Sequence, residues 1–178
     1  MPIPYSEETM YGFEYQVASH MIQEGFVDEG LEIVRAVRDK FDGEKRNPWN
    51  EFECGSNYAR SMSSYALLNS FSGLSFDMTR KRIGFAPICP FVDFSVFWCL
   101  GTGWGRFELT PDSMKLRVLY GRITLTELGI PLKGGRTVST VTLDGREVVF
   151  HSCGESISFT NDITIGLDSC LTILCSRC

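Results

Sequence analysis

Near residue 80 the apolar side chains of this chain stop recurring every three to four positions and begin to alternate. That switch separates a helical part from a β part, because the two repeats suit different backbones. In the first part Phe13, Val17 and Met21 step by four, with Ala18 and Ile22 alongside, and Gly25 ends the turn. Val27, Leu31, Val34, Val37 and Phe41 form a second stripe, broken at Gly43. Each stripe is expected to face a core. After the loop GEKRNPWNEFECG, Ser56 or Asn57 can cap a third helix that carries Tyr58, Met62, Tyr65 and Leu68 and closes at Gly73. This helix is lined with small residues, among them Ala59, Ser61, Ser63, Ala66 and Ser70, which suits it to close approach by neighbouring helices.

From about residue 83 the pattern is that of strands. Phe94, Val96, Trp98 and Leu100 share one face, and the opposite face carries Phe97 and Cys99, which predicts a strand covered on both sides. Met114, Leu116, Val118 and Tyr120 alternate with Lys115 and Arg117. TVSTVTLDGREVVFHS predicts a hairpin, with Asp144-Gly145 supplying the positive-φ pair of a two-residue turn. Short strands at regular spacing predict an antiparallel β-sandwich or sheet. The expected fold class is therefore α+β, with a helical part over 1–78 and a β-rich part over 79–178.

Charge and composition remove several function classes. The net charge is −5 and no basic block occurs, so nucleic acid is not an expected partner. No apolar run approaches the ~18 residues of a membrane span. The start, MPIPYSEET, has neither the basic region nor the apolar core of a secretory signal, so the expected location is cytoplasmic. The cysteines at 54, 89, 99, 153, 170, 175 and 178 are then read as free buried thiols. Cys170, Cys175 and Cys178 lack a fourth ligand nearby, so no metal is expected. No cofactor is expected either. GTGWGRF, residues 101 to 107, lacks the Lys-Ser/Thr of a phosphate loop and reads as a bend between strands.

One stretch carries candidate chemistry: NPWNEFECGSNYARSMSSY, residues 47 to 65. Glu51 and Glu53 accept hydrogen bonds in pairs, and Arg60 donates in a planar fork. Together they match the vicinal hydroxyls of a sugar, and Trp49 offers a flat apolar face for its ring. The alternative is structural: Glu51 or Glu53 pairs with Arg60 or Lys45 and fastens the loop. A glycosidase pair is not expected here. Such carboxyls flank the scissile bond ~5 to 9 Å apart, and near neighbours on one loop seldom do so.

The segment from YGFEYQVASHMIQEG through NPWNEFECGSNYARSMSSY to IGFAP and FWCLGTGWGRF, most of residues 7 to 107, resembles the C-terminal part of the catalytic region of glycoside hydrolase family 116. That family comprises β-glucosidases and non-lysosomal glucosylceramidase. The resemblance implies an (α/α)6 barrel that cleaves β-glycosidic bonds with retention of configuration. It also implies that Glu51 and Arg60, nine residues apart, hold the hydroxyls of the terminal sugar; Glu53 and Trp49 join them as candidates from the loop's own residues. The ligand it implies is a β-glucoside. The family's nucleophile and acid/base lie upstream of this segment, so no catalytic residue is assigned in this chain. Three helices of twelve remain, and the chain is expected to be part of a hydrolase, inactive alone. The alternatives are a stand-alone carbohydrate-binding module and a subunit docking on a partner chain that supplies the rest of the barrel.

Overall fold

A computed structural model describes residues 10–48, 60–88, 93–132 and 135–177. The chain divides into two compact units, Met1–Phe71 and Ser72–Cys178. It is α+β.

The helical unit contains α1 (Tyr11–Gln23), α2 (Val27–Lys40), a 3-10 segment (Arg60–Tyr65) and the start of α3 (Ala66–Ser72). Gly25 and Gly43 stand just beyond the ends of α1 and α2 with φ of 90° and 94°, in keeping with the expected breaks. The core of this unit is Tyr11, Tyr15, Ala18, Val34, Val37 and Phe41, and the Tyr11 and Phe41 rings lie 4.5 Å apart. Lys40 Nζ donates to Glu14 Oε1 at 2.9 Å and ties α2 to α1.

Two expectations for this unit are corrected. Phe13 and Val17 are 52% and 51% exposed, so the core face of α1 is Tyr11, Tyr15, Ala18 and Ile22, which keeps Ala18 and Ile22 from the spacing and replaces Phe13 and Val17 by the two tyrosines. The third helix is a tight 3-10 segment followed by two turns of α-helix. Its large side chains Met62, Tyr65 and Leu68 are exposed, while Ser70 and Ser72 are buried. The small residues are what pack. Ser63 Oγ donates to the Gly12 carbonyl at 3.0 Å and Ser70 Oγ to the Ser19 carbonyl at 3.0 Å, so hydroxyls fasten this segment to α1. Serine hydroxyls bonding nearby carbonyls also compete with regular helix. Ser63 and Ser70 reach the carbonyls of Arg60 and Ala66 in this way.

The β unit holds eleven strands, β1 Ser75–Asp77, β2 Arg82–Gly84, β3 Phe94–Leu100, β4 Gly103–Leu109, β5 Ser113–Gly121, β6 Ile123–Gly129, β7 Arg136–Leu143, β8 Arg146–Glu147, β9 Phe150–Cys153, β10 Ser156–Ile165 and β11 Cys170–Arg177. They form two sheets, in the orders β1-β2-β6-β10-β9 and β3-β4-β5-β11-β7-β8. Among the described residues these are the strands, and their pairings are antiparallel except β2 with β6. The two sheets bury one shared core, with Ile83, Leu125 and Ile157 from the first and Trp98, Leu116 and Ile173 from the second. Asp144 and Gly145 have φ of 51° and 80°, the expected turn between β7 and β8. GTGWGRF is the turn after β3 together with most of β4.

Two strand readings are corrected. Phe97 and Cys99 are exposed, so β3 is covered on one face only. Tyr120 does not join Met114, Leu116 and Val118 in the core. Trp104 pairs with Tyr120 but Gly105 pairs with Val118, so Leu119 is an extra residue in β5. A bulge of this kind reverses the facing of the residues beyond it, and Tyr120 points outward with Trp104. Nor are the thiols uniformly buried: Cys99 and Cys153 are exposed and Cys170 and Cys175 half-buried, all four free.

Candidate functional site

The helical unit carries an open groove of about 840 Å³ between α1 and the 3-10 segment. One wall is the face of α1 bearing Phe13, Gln16, Val17 and His20; the other begins at Arg60 and continues through Ser63 and Ala66. The Phe13–Val17 spacing read from sequence as a core stripe therefore lines a groove. Gly12 lets the two walls meet: a Cβ there would lie 2.7 Å from Arg60 Cβ. Arg60 rises beside it, its guanidinium carbon 5.5 Å from the centre of the Phe13 ring. A guanidinium over an aromatic face is attracted by the ring quadrupole, which steadies the side chain. His20 stands further along the same face, 3.6 Å from Glu24.

The arrangement offers an apolar wall, amides at Gln16 and Gln23, and a cationic planar fork at one end. No Asp or Glu lies among the described residues that line it. A guanidinium of this kind can donate hydrogen bonds in a planar fork to oxygen atoms.

Of the four residues assigned to sugar binding from sequence, Arg60 falls in this groove. Trp49, Glu51 and Glu53 lie outside the described residues. Lys45, named as an alternative partner for the glutamates, pairs with Asp42 at 3.0 Å and donates to the Asp39 carbonyl. Asp42 Oδ1 accepts the backbone N–H groups of Glu44 and Lys45, at 3.0 and 2.8 Å. These bonds, the Lys45 N–H foremost, hold its carboxyl at about 2, against an ordinary 3.8.

Sequence reasoning missed the contribution of α1. The signal was present in the four-residue steps of Phe13 and Val17, but spacing marks an apolar face without saying what covers it.

No group of three or more His, Cys, Asp and Glu among the described residues is placed to hold a metal ion. Cys178 lies outside them, and burial pushes the Cys175 thiol up. Among the described residues no helix is long and apolar enough to cross a membrane.

No protein-family model matches the chain, and no curated protein matches it. Among solved structures, it is similar to a glycoside hydrolase family 127 β-L-arabinofuranosidase from Geobacillus stearothermophilus T6. The identity is 12% and the TM-score 0.39, over 79% of this chain and 22% of that one. The chain thus spans well under two thirds of that protein. A likeness of this size traces part of an outline, and neither family nor activity comes with it.

Proposed function

We propose that the helical unit holds a sugar in the α1 groove, as the sugar-gripping portion of a β-glycosidase of the glucosidase or glucosylceramidase type. Its bond-breaking carboxylates then reside on helices other than these. The observation that carries the reading is the position of Arg60: a guanidinium at the end of an 840 Å³ groove, against the Phe13 ring. A planar donor fork beside an apolar face suits a pyranose, which is hydroxylated at its rim and bears C–H groups on its faces. The NPWNEFECGSNYAR stretch supports it, since Glu51 is the carboxylate that the family resemblance pairs with Arg60.

Calorimetry with glucose and cellobiose tests this. Weak saturable binding is expected, lowered about tenfold or more in Arg60→Ala, as loss of hydrogen bonds from a charged donor requires. Absence of saturable binding, or an unchanged affinity in that variant, overturns it.

A second reading has its own support. Phe13, Val17, Met62, Tyr65 and Leu68 are all half or more exposed on this one unit. Apolar surface of that extent suits helices that pack against further helices, as the last three of an (α/α)6 barrel would. In this reading a partner chain or further chain supplies them. Sedimentation velocity tests it: a monomer at all concentrations, with no binding of an apolar dye, removes it.

A further inference from the structure

The outer face of the β3–β4–β5 portion of the larger sheet carries a stack of three exposed rings. Phe97 is 53% exposed, Trp104 38% and Tyr120 63%. Phe97 and Trp104 have centroids 5.9 Å apart at 46°; Trp104 and Tyr120 are 5.8 Å apart and within 18° of parallel. Tyr120 joins them through the bulge at Leu119 in β5. One register row away, Arg106 on β4 sits directly opposite Arg117 on β5, and Phe97 on β3 sits directly opposite Arg106. Arg106 Nε is held by Ser95 Oγ at 2.6 Å and Glu108 Oε1 at 3.0 Å. Arg117 is exposed and makes no ion pair among the described residues.

Each row leaves something unmet: exposed rings in one, and in the other the Arg117 charge facing an Arg106 whose own charge Glu108 offsets. Like charges directly opposite one another on neighbouring strands repel. Large rings left half in water forgo the burial that usually stabilises them. A ligand that relieves both has a flat apolar side for the rings and negative charge at its rim for the guanidinium groups.

We propose that this face binds an acidic oligosaccharide, a chain of uronate sugars. The C–H face of a pyranose lies against an aromatic ring, and its carboxylate, in the plane of the sugar at the rim, meets a guanidinium fork. Single-stranded nucleic acid also stacks on aromatic rings, but it is held by a cationic groove that tracks many phosphates. Here two guanidinium groups stand side by side, enough to meet one or two carboxylates and too few to track a phosphate backbone. Arg106 already has Glu108 as its counter-charge, and a neutral glycan answers the rings but leaves Arg117 without one. The proposal concerns the β unit alone and is independent of the Arg60 groove.

Titration of the full chain with tetragalacturonate, read by calorimetry and tryptophan fluorescence, tests it. Saturable binding is expected that weakens with added salt. It falls about tenfold or more in Arg117→Gln, is lost in Tyr120→Ala, and is unchanged in Arg60→Ala. Cellotetraose is expected to bind about tenfold or more weakly. Tyr120 and Arg117 are exposed, so their variants keep the parent urea midpoint; should Tyr120→Ala shift it, Phe97→Ala at the other end of the stack gives the decisive loss. No saturable binding of tetragalacturonate, an unchanged affinity in Arg117→Gln, or equal binding of cellotetraose overturns the proposal. Tighter binding of a thymidine oligonucleotide overturns it in favour of single-stranded nucleic acid.

Discussion

Asp42 shows how one side chain can organise a loop. It accepts two backbone N–H groups and pairs with Lys45, and its carboxyl sits at about 2 instead of 3.8. A carboxyl lowered in the folded chain contributes fully above its unfolded value and loses that contribution as the pH falls through its folded one. The amides of Glu44 and Lys45 are therefore expected to lose exchange protection as the pH drops from 3.8 to about 2. In Asp42→Ala they are expected to be unprotected at neutral pH, and proton exchange by NMR reads both. Trp98 is a different kind of residue, buried, with no hydrogen-bond partner for its Nε1–H among the described residues. An unmet buried donor costs about 1 to 3 kcal/mol. Trp98→Phe removes that cost together with some packing, so its urea-unfolding penalty is expected to fall below the roughly 3 to 5 kcal/mol of a large aromatic-to-Ala change.

At the scale of elements, turns were legible in the sequence and facings were not. Asp144-Gly145 was readable because a two-residue turn demands positive φ at both positions, and few residue pairs tolerate it. Gly145→Val is expected to destabilise the chain by about 1 to 2 kcal/mol in urea unfolding, the cost of a β-branched side chain at φ of 80°. Asp144 adds a tie that local sequence does not reveal, its Oδ1 accepting the Cys170 N–H at 2.8 Å across the sheet. Facing failed where a single residue changes the count. The bulge at Leu119 turned Tyr120 outward, and alternation cannot register an insertion into one strand of a pair. In the third helix, serines that looked like spacers make the contacts, because their hydroxyls reach α1 carbonyls that a larger side chain would cover. In the other sheet, Glu127 accepts from Ser156 at 2.6 Å and Arg82 at 3.0 Å, joining β10, β6 and β2, and these bonds lower its carboxyl. Both ion-pair partners are partly exposed, so Glu127→Gln is expected to cost about 1 kcal/mol or less at neutral pH, measured by thermal melting.

For the whole molecule, the order helices-then-strands was plain from period alone, and with it the α+β class. That the strands share one core between two sheets needed long-range pairing that no local pattern carries. β11 lies between β5 and β7, and β6 between β2 and β10. The candidate site was half legible: Arg60 could be named from its motif, while the wall it faces comes from a helix some forty residues earlier. The core of the β unit includes the Phe85–Phe107 stack, centroids 4.0 Å apart, with both rings buried. Phe107→Ala is expected to lower the unfolding free energy of this unit by about 3 to 5 kcal/mol, monitored in urea by tryptophan fluorescence.

The extra residue in β5 has one more consequence. A codon lost at position 119 would make the pairing regular and set Tyr120 directly after Val118, still opposite Trp104 and facing outward, so the aromatic stack would remain. What would carry Tyr120 inward is a straightened strand that keeps Leu119 and seats it opposite Trp104, so the surface survives loss of the insertion but not loss of the bulge.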